Sequence, residues 1–289
     1  MKYLLSFILL FSLIGCNNNE NGVNIVDNEL ENGEEQVSNF AEEYFQKGIA
    51  KYNLQDYRGS ISDYSKAIEL NPKYADAYVN RGNAKKKLQD YRGAISDYNK
   101  AIEIDPKIAL AYYNRGIAKY NLQDYRGSIS DYNKAIELDP KDEEKYIDRG
   151  NAKAQLQDYR GAISDYSKAI ELDPKDGPYH NRGNAKDELQ DYRGAISDYN
   201  KEIELNKTSG LVKYTYKSRG TVKAKLQDFR GAIEDYNKAI ELDPKYARAY
   251  ANRGLAKIEL GQKDSGCLDL SKALELGESA NDKIREHCN

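Results

Sequence analysis

Leu-Gln-Asp-Tyr-Arg-Gly recurs letter for letter from Leu54, Leu88, Leu122, Leu156 and Leu189, and returns with Phe229 in place of Tyr from Leu226. A chain that repeats itself at a fixed short period does not build one central core. Each unit packs on its neighbours, and stability accumulates along the array. Aligning the glycine that follows Arg or Lys gives Gly48, Gly82, Gly116, Gly150, Gly183, Gly220 and Gly254, at spacings of 34, 34, 34, 33, 37 and 34 residues. The 289 residues therefore read as seven copies of one unit and not as one or two ordinary domains. With 25 Tyr, 5 Phe and no Trp, the apolar surface comes mainly from Tyr, Ile, Leu and Ala, which suits thin helical layers.

Apolar spacing divides a unit such as 75 to 108 into two helices. Tyr91, Ala94, Ile95, Tyr98, Ala101 and Ile102 fall on one stripe of an amphipathic helix, with Asp90 placed as its N-cap. Asp105-Pro106 ends it, because proline cannot continue a helix but fits the first turn of the next. The first helix carries Tyr78, Gly82, Ala84 and Leu88. Glycine inside a helix costs about 1 kcal/mol relative to alanine, so its recurrence demands a packing reason. Small residues at Gly82, Ala94 and Ala101 let two backbones approach, and the rings of Tyr78 and Tyr98 fill the gaps beside them.

This pattern resembles the tetratricopeptide repeat, which places an aromatic residue at position 4, Gly at 8, small residues at 20 and 27, an aromatic at 24 and Pro at 32. The second unit supplies Tyr78, Gly82, Ala94, Ala101, Tyr98 and Pro106; the third supplies Tyr112, Gly116, Ser128, Ala135, Tyr132 and Pro140. The resemblance covers 41 to 276. It implies an all-α fold: a right-handed α-α superhelix of seven helix-turn-helix units, closed by a polar capping helix over 277 to 289. Two departures stand out. Position 7, usually Leu in the family, is Lys47 in the first unit and Arg81, Arg115, Arg149, Arg182, Arg219 and Arg253 in the others. Position 23 is Asp throughout, from Asp63 and Asp97 to Asp235 and Asp269. An Arg–Asp pairing between helices is expected, against the alternative that both face water. The fifth unit is irregular, with Glu202 in place of Ala, Lys207 in place of Pro and Thr208-Ser209-Gly210 lengthening the link; a bend or looser contact is expected between 203 and 214.

The N-terminus reads as an address. Lys2 and the apolar run Tyr3 to Ile14 form a basic n-region and an h-region, too short to span a bilayer, which takes about 20 residues. The run ends in Leu13-Ile14-Gly15-Cys16, which resembles the lipobox of bacterial lipoproteins. That resemblance implies a signal peptide over 1 to 15 and lipidation of Cys16 as the new N-terminus; an ordinary secretory signal with a chance Cys is the alternative. Residues 16 to 40 hold six acids and no Lys or Arg and are expected to form an unstructured tether. The expected location is the bacterial cell envelope, lipid-anchored, with Asn17 favouring the outer membrane. Beyond residue 40 stand 43 basic and 41 acidic residues, which leaves no electrostatic footprint for nucleic acid.

With Cys16 lipidated, Cys267 and Cys288 remain, 10 and 11 residues either side of Gly277. If Gly277 turns an antiparallel helix pair the thiols share a height, so either a disulfide or two free thiols follows; the bond needs Cα atoms about 4.4 to 6.8 Å apart. His180 and His287 are the only histidines and sit in no metal-ligand spacing, so no metal or cofactor is expected. Ser and Asp recur only at fixed repeat positions without a His to activate them, and no P-loop or hydrolase motif is present. The chain is accordingly expected not to be an enzyme.

In the family the first helices line a concave groove, with positions 2, 5, 6, 9, 12 and 13 facing a ligand. The resemblance places Asn80, Asn114, Asn181 and Asn252 at position 6 and Asn83, Asn151 and Asn184 at position 9. An Asn ladder both donates and accepts hydrogen bonds, which suits an extended peptide backbone; the alternative uses Asn for helix-to-helix contacts. Val79, Tyr112, Tyr113, Ile117 and Tyr120 are candidate apolar anchors. The family's two-carboxylate clamp needs Lys at 5 and Asn at 9, then Asn at 6, then Lys and Arg at 2 and 6; no three consecutive units supply it. The expected function is a lipid-anchored, non-catalytic scaffold binding a protein partner. The alternative is a glycan- or nutrient-binding lipoprotein, which the lack of Trp disfavours.

Overall fold

Every regular element of the computed structural model, which describes residues 20–206 and 209–288 with side chains from residue 36 on (285 excepted), is an α-helix. The signal segment 1–15, Cys16, and Lys207 and Thr208 of the irregular link lie outside the described residues. The chain divides into two compact units, Met1–Asp105 and Pro106–Asn289. The first contains α1 (Glu20–Asn53), α2 (Tyr57–Leu70), α3 (Ala75–Lys87) and α4 (Tyr91–Ile104), each packed on the next. Phe45, Tyr64, Ala67, Ile68 and Ala77 form its core.

Helix α1 begins at Glu20, where a tether without regular structure was expected up to residue 40. The physical reason is propagation: the first helix of the first repeat is nucleated by its packing on α2, and each residue added upstream gains one helical hydrogen bond without repeating the nucleation cost.

The second unit contains α5 (Ala109–Asn121), α6 (Tyr125–Leu138), α7 (Glu143–Gln155), α8 (Tyr159–Leu172), α9 (Tyr179–Glu188), α10 (Tyr192–Leu205), α11 (Val212–Lys225), α12 (Phe229–Leu242), α13 (Ala247–Glu259), α14 (Lys263–Glu275) and α15 (Asn281–His287). Successive helices again pack pairwise. On either side of the longer link before α11 the described residues stay packed: α10 and α11 pack together, and Ile203 and Val212 are buried.

The second helices of the first six repeats start the same way, whereas α14 has Gln262 at this place and no side-chain cap. In the fourth repeat the Asp158 carboxylate accepts a hydrogen bond from the Gly161 amide at 3.0 Å, as Asp90 does from Gly93 at 2.9 Å. The residue before this cap is Gln with φ near +60°, as at Gln157, which turns the chain between the two helices. Leu88, Leu122 and Leu156 fall at this turn and stay half-exposed, so Leu88 does not belong to the apolar stripe of its helix. Pro140 lies in the link ahead of α7 and not in its first turn; its carbonyl accepts from the Tyr146 hydroxyl at 3.2 Å.

The recurrent glycine makes room for a ring more than for a backbone. A Cβ on Gly150 would stand 2.7 Å from Cε1 of Tyr166, and the same holds for Gly82 against Tyr98 and Gly116 against Tyr132. Tyr64, Tyr98, Tyr132, Tyr199 and Tyr236 are all fully buried. Burying a large side chain stabilises by about 2 kcal/mol or more, so the ring outweighs the roughly 1 kcal/mol that helical glycine costs. At the C-terminal end Gly277 takes φ +93° and Ala280 and Ile284 pack over Ala251, Leu270 and Ala273. Cys267 of α14 and Cys288, just beyond α15, are joined by a disulfide with Cα atoms 5.7 Å apart.

Candidate functional site

The repeated charged residues are spent on joining helices. Arg149 lies over the Tyr146 ring at 5.5 Å, donates from Nε and Nη2 to the two oxygens of Asp165 at 2.9 and 2.6 Å, and reaches Asn133 of the preceding repeat at 2.8 Å. Lys153 adds a second cation to Asp165 at 2.8 Å. The same bidentate pair forms between Arg81 and Asp97, Arg115 and Asp131, Arg182 and Asp198, Arg219 and Asp235, and Arg253 and Asp269. In the first repeat Lys47 pairs with Glu43 instead, and Lys51 reaches Asp63. Lysine is a shorter point charge without the guanidinium fork, so it does not span the gap that Arg bridges.

The asparagines are partly committed as well. The Asn83 Oδ1 accepts from the Tyr98 hydroxyl at 2.8 Å, Asn151 from Tyr166 at 2.9 Å, and Asn184 from Tyr199 at 2.8 Å. Asn181 donates to Asn151 at 3.0 Å, and Asn252 donates to Thr221 at 3.3 Å. Asn114 is only 6% exposed, and Asn80 is half-buried. The position-9 side chains thus give their oxygens to buried tyrosines, which is the helix-to-helix use that competed with a free ladder, and keep Nδ2 for other partners. Tyr113 donates to Asp148 at 2.9 Å, which ties it to the next repeat, while Ile117 is half-buried. Val79 is buried, Tyr112 lies under Arg115, and the Tyr120 ring stands edge-on to Tyr125 at 5.2 Å.

Asn151, Asn181 and Asn184 come together on one shallow groove of about 260 Å³ with Tyr120, Gln155 and Glu188. A larger groove of about 720 Å³ adjoins it, sharing Asn184 and Glu188, and is lined from the first helices of the last three repeats, α9, α11 and α13. Its side chains break the repeat. His180 and Lys217 stand at position 5, where the other units carry Phe45, Val79, Tyr113, Ile147 and Ala251. Tyr214 and Arg248 stand at position 2, and Tyr246 precedes α13.

The electrostatics of this groove are uneven. The His180 ring packs 5.7 Å from Tyr199 and shares a hydrogen bond of 2.9 Å with the Thr215 hydroxyl. Burial, with Lys217 adding to it, pushes its pKa down to about 4. Burial also lowers the pKa of Lys217, reinforced by the like charges of Arg248 and Lys225 and only partly opposed by Asp187. Asp187 is itself paired with Lys225 at 2.6 Å, and Arg248 stands 3.4 Å from Glu278. Tyr214 and Tyr246 meet edge to face at 5.5 Å, with Tyr214 42% exposed. Burial pushes the Tyr246 hydroxyl up to about 12.

The sequence reading took up His180 only as a histidine in no metal-ligand spacing and passed over Lys217, Tyr214 and Arg248. For His180 and Lys217 the signal was present: within a near-perfect repeat, titratable residues replace apolar ones at position 5.

Models of the tetratricopeptide repeat match residues 75–108, 109–142, 143–176, 177–209 and 247–278, and a further TPR repeat model matches 41–89 and 220–261. No curated protein sequence matches the chain. Among solved structures, a tetratricopeptide repeat protein from Parabacteroides merdae is 19% identical, with 87% of this chain and 100% of that one covered and a TM-score of 0.62. Pseudomonas aeruginosa pilF is 17% identical over 75% of this chain and 96% of its own, with a TM-score of 0.60. MamA from Desulfovibrio magneticus is 20% identical over 60% of this chain and 96% of its own, with a TM-score of 0.56. At these identities the likeness is one of fold.

Proposed function

The chain belongs to the tetratricopeptide repeat family, and we propose that it acts as a lipid-anchored, non-catalytic scaffold that holds an extended segment of a partner protein in the groove of α9, α11 and α13. One observation carries this reading. The residues that recur in every repeat are consumed by packing, whereas the residues that break the repeat gather on one open groove. Ligand sites are concave places where a few polar groups converge among aromatic ones, and this groove offers Nδ2 of Asn184, the Ser218 hydroxyl, and the Tyr214 and Tyr246 rings. The lipobox-like Leu13-Ile14-Gly15-Cys16 supports the anchor and a bacterial cell envelope location, and Asn17 favours the outer membrane. Several acyl chains on Cys16 hold a protein stably at a bilayer, which one chain alone does not. The near balance of charge beyond residue 40 supports a protein partner over nucleic acid.

Crosslinking in intact cells followed by mass spectrometry tests the scaffold. The wild type captures a partner, and Ser218→Trp, which fills the groove with a bulky ring, loses it while keeping its helical content. Labelling with a fatty-acid probe tests the anchor, which Cys16→Ser abolishes. A thermal shift with glycans and no protein partner in either experiment replaces the scaffold with a glycan-binding role for the same groove.

A further inference from the structure

We infer that Lys217 receives an acidic side chain, Asp or Glu, from within the bound segment, so that the groove selects acidic segments of its partner; this rests on the groove reading above.

Lys217 projects from α11 at position 5 of its repeat, with repeats on both sides contributing to the same groove. Most of the other groove charges are answered inside the chain. Asp187 is neutralised by Lys225 at 2.6 Å, and Arg248 faces Glu278 at 3.4 Å. Lys217 has no carboxylate within ion-pair distance among the described residues, and its hydrogen-bonded contact is through its backbone carbonyl, which accepts from Thr221 at 2.9 Å. Its surroundings make matters worse: burial disfavours the ammonium, and Arg248 and Lys225 repel it, which Asp187, already paired with Lys225, only partly offsets. A cation that is partly desolvated and unpaired costs free energy that a ligand carboxylate returns on binding.

The commitment to a side chain, and to a peptide, follows from shape and surroundings. The groove is an open trough of about 720 Å³ spanning three consecutive first helices, which suits a chain passing through better than a small anion held in a closed cavity. Glu188, which lines the same groove, repels a second negative charge, so one acidic residue at Lys217 is favoured over a uniformly acidic run. The edge-to-face Tyr214–Tyr246 pair beside it offers an apolar surface for the neighbouring residue of the same segment. His180 stays neutral well below physiological pH and supplies no competing positive charge.

The test uses the full chain and a library of random twelve-residue peptides with acetylated and amidated ends, followed by affinity measurement of enriched members. The wild type is expected to enrich peptides with a single Asp or Glu at a defined position next to an apolar or aromatic residue. Changing that residue to Asn or Gln should weaken binding by about tenfold or more, the size expected when one partner of a desolvated ion pair is removed. Lys217→Met should show the same loss and no longer discriminate the two peptides, and Lys217→Arg should retain discrimination, both with unchanged helical content. Enrichment of neutral or basic peptides, or equal binding of the acidic and amide versions, overturns the acidic selection and leaves the groove standing. Enrichment that appears only when the C-terminus is free overturns the assignment to a side chain. Capture of no peptide at all overturns the groove reading itself.

Discussion

Arg149 touches a tyrosine ring, a buried aspartate and the asparagine of the preceding repeat at once, and five further arginines form the same bidentate pair with their aspartate. An exposed ion pair contributes about 0 to 1 kcal/mol, but Asp165 is 3% exposed and held by both Arg149 and Lys153. A double-mutant cycle of Arg149→Leu and Asp165→Ala is expected to give a coupling of about 1 to 3 kcal/mol in chemical denaturation; a value under about 0.5 kcal/mol returns the pair to the solvated class. His180 carries the second prediction at this scale. Its folded pKa of about 4 lies below the ordinary 6.5, so the unfolded chain binds the extra proton between those values. Stability is full above pH 6.5 and falls as pH drops toward 4. The loss is about 2 kcal/mol after allowance for partial solvent screening, and His180→Asn removes that segment of the pH profile. An imidazole titrating near pH 6.5 by NMR contradicts this. Pairing residues at positions 7 and 23 was legible in the sequence because both departures recur together. The place of His180 was not, since a lone histidine carries no period.

Between the two helices of a repeat, adjacent residues act in opposite directions. Gln157 is held at φ 60°, a left-handed conformation that costs a residue with a side chain about 1 kcal/mol or more, whereas the last repeat uses Gly261 at φ +78° for the same turn. Gln157→Gly is therefore expected to stabilise by about 0.5 to 1 kcal/mol, as read from the melting midpoint of the variant. The next residue, Asp158, caps α8 through the Gly161 amide, and Asp158→Ala is expected to destabilise by about 1 kcal/mol. Equal signs for the two would mean that the turn, and not the cap, governs this junction. Helix existence and caps were readable because they follow from local spacing and hydrogen-bonding chemistry. The extent of α1 was not, because it depends on propagation from a helix end that only packing nucleates.

Across the second unit, the described helices pack on those of the same and the adjacent repeat, so a local change at one end should stay local. The Cys267–Cys288 bond closes a loop of 21 residues over the last repeat, and a loop of that size contributes about 3 kcal/mol in the chain-entropy account. Reduction is expected to lower hydrogen-exchange protection in α14 and α15 while leaving α5 to α8 unchanged; a uniform loss over the unit would contradict nearest-neighbour stability. The period, composition and cap chemistry already specify a helical array, its family and the residues that join its helices, because those properties depend on the spacing of residues along one chain. Which asparagines keep a free donor, and how His180, Lys217, Tyr214 and Arg248 meet on one groove, was decided only in three dimensions. Those residues come from three successive repeats, with Tyr214 and Lys217 sharing α11 and each step to the next repeat spanning 31 to 37 residues, so their common surface exists only once the helices that carry them have packed side by side.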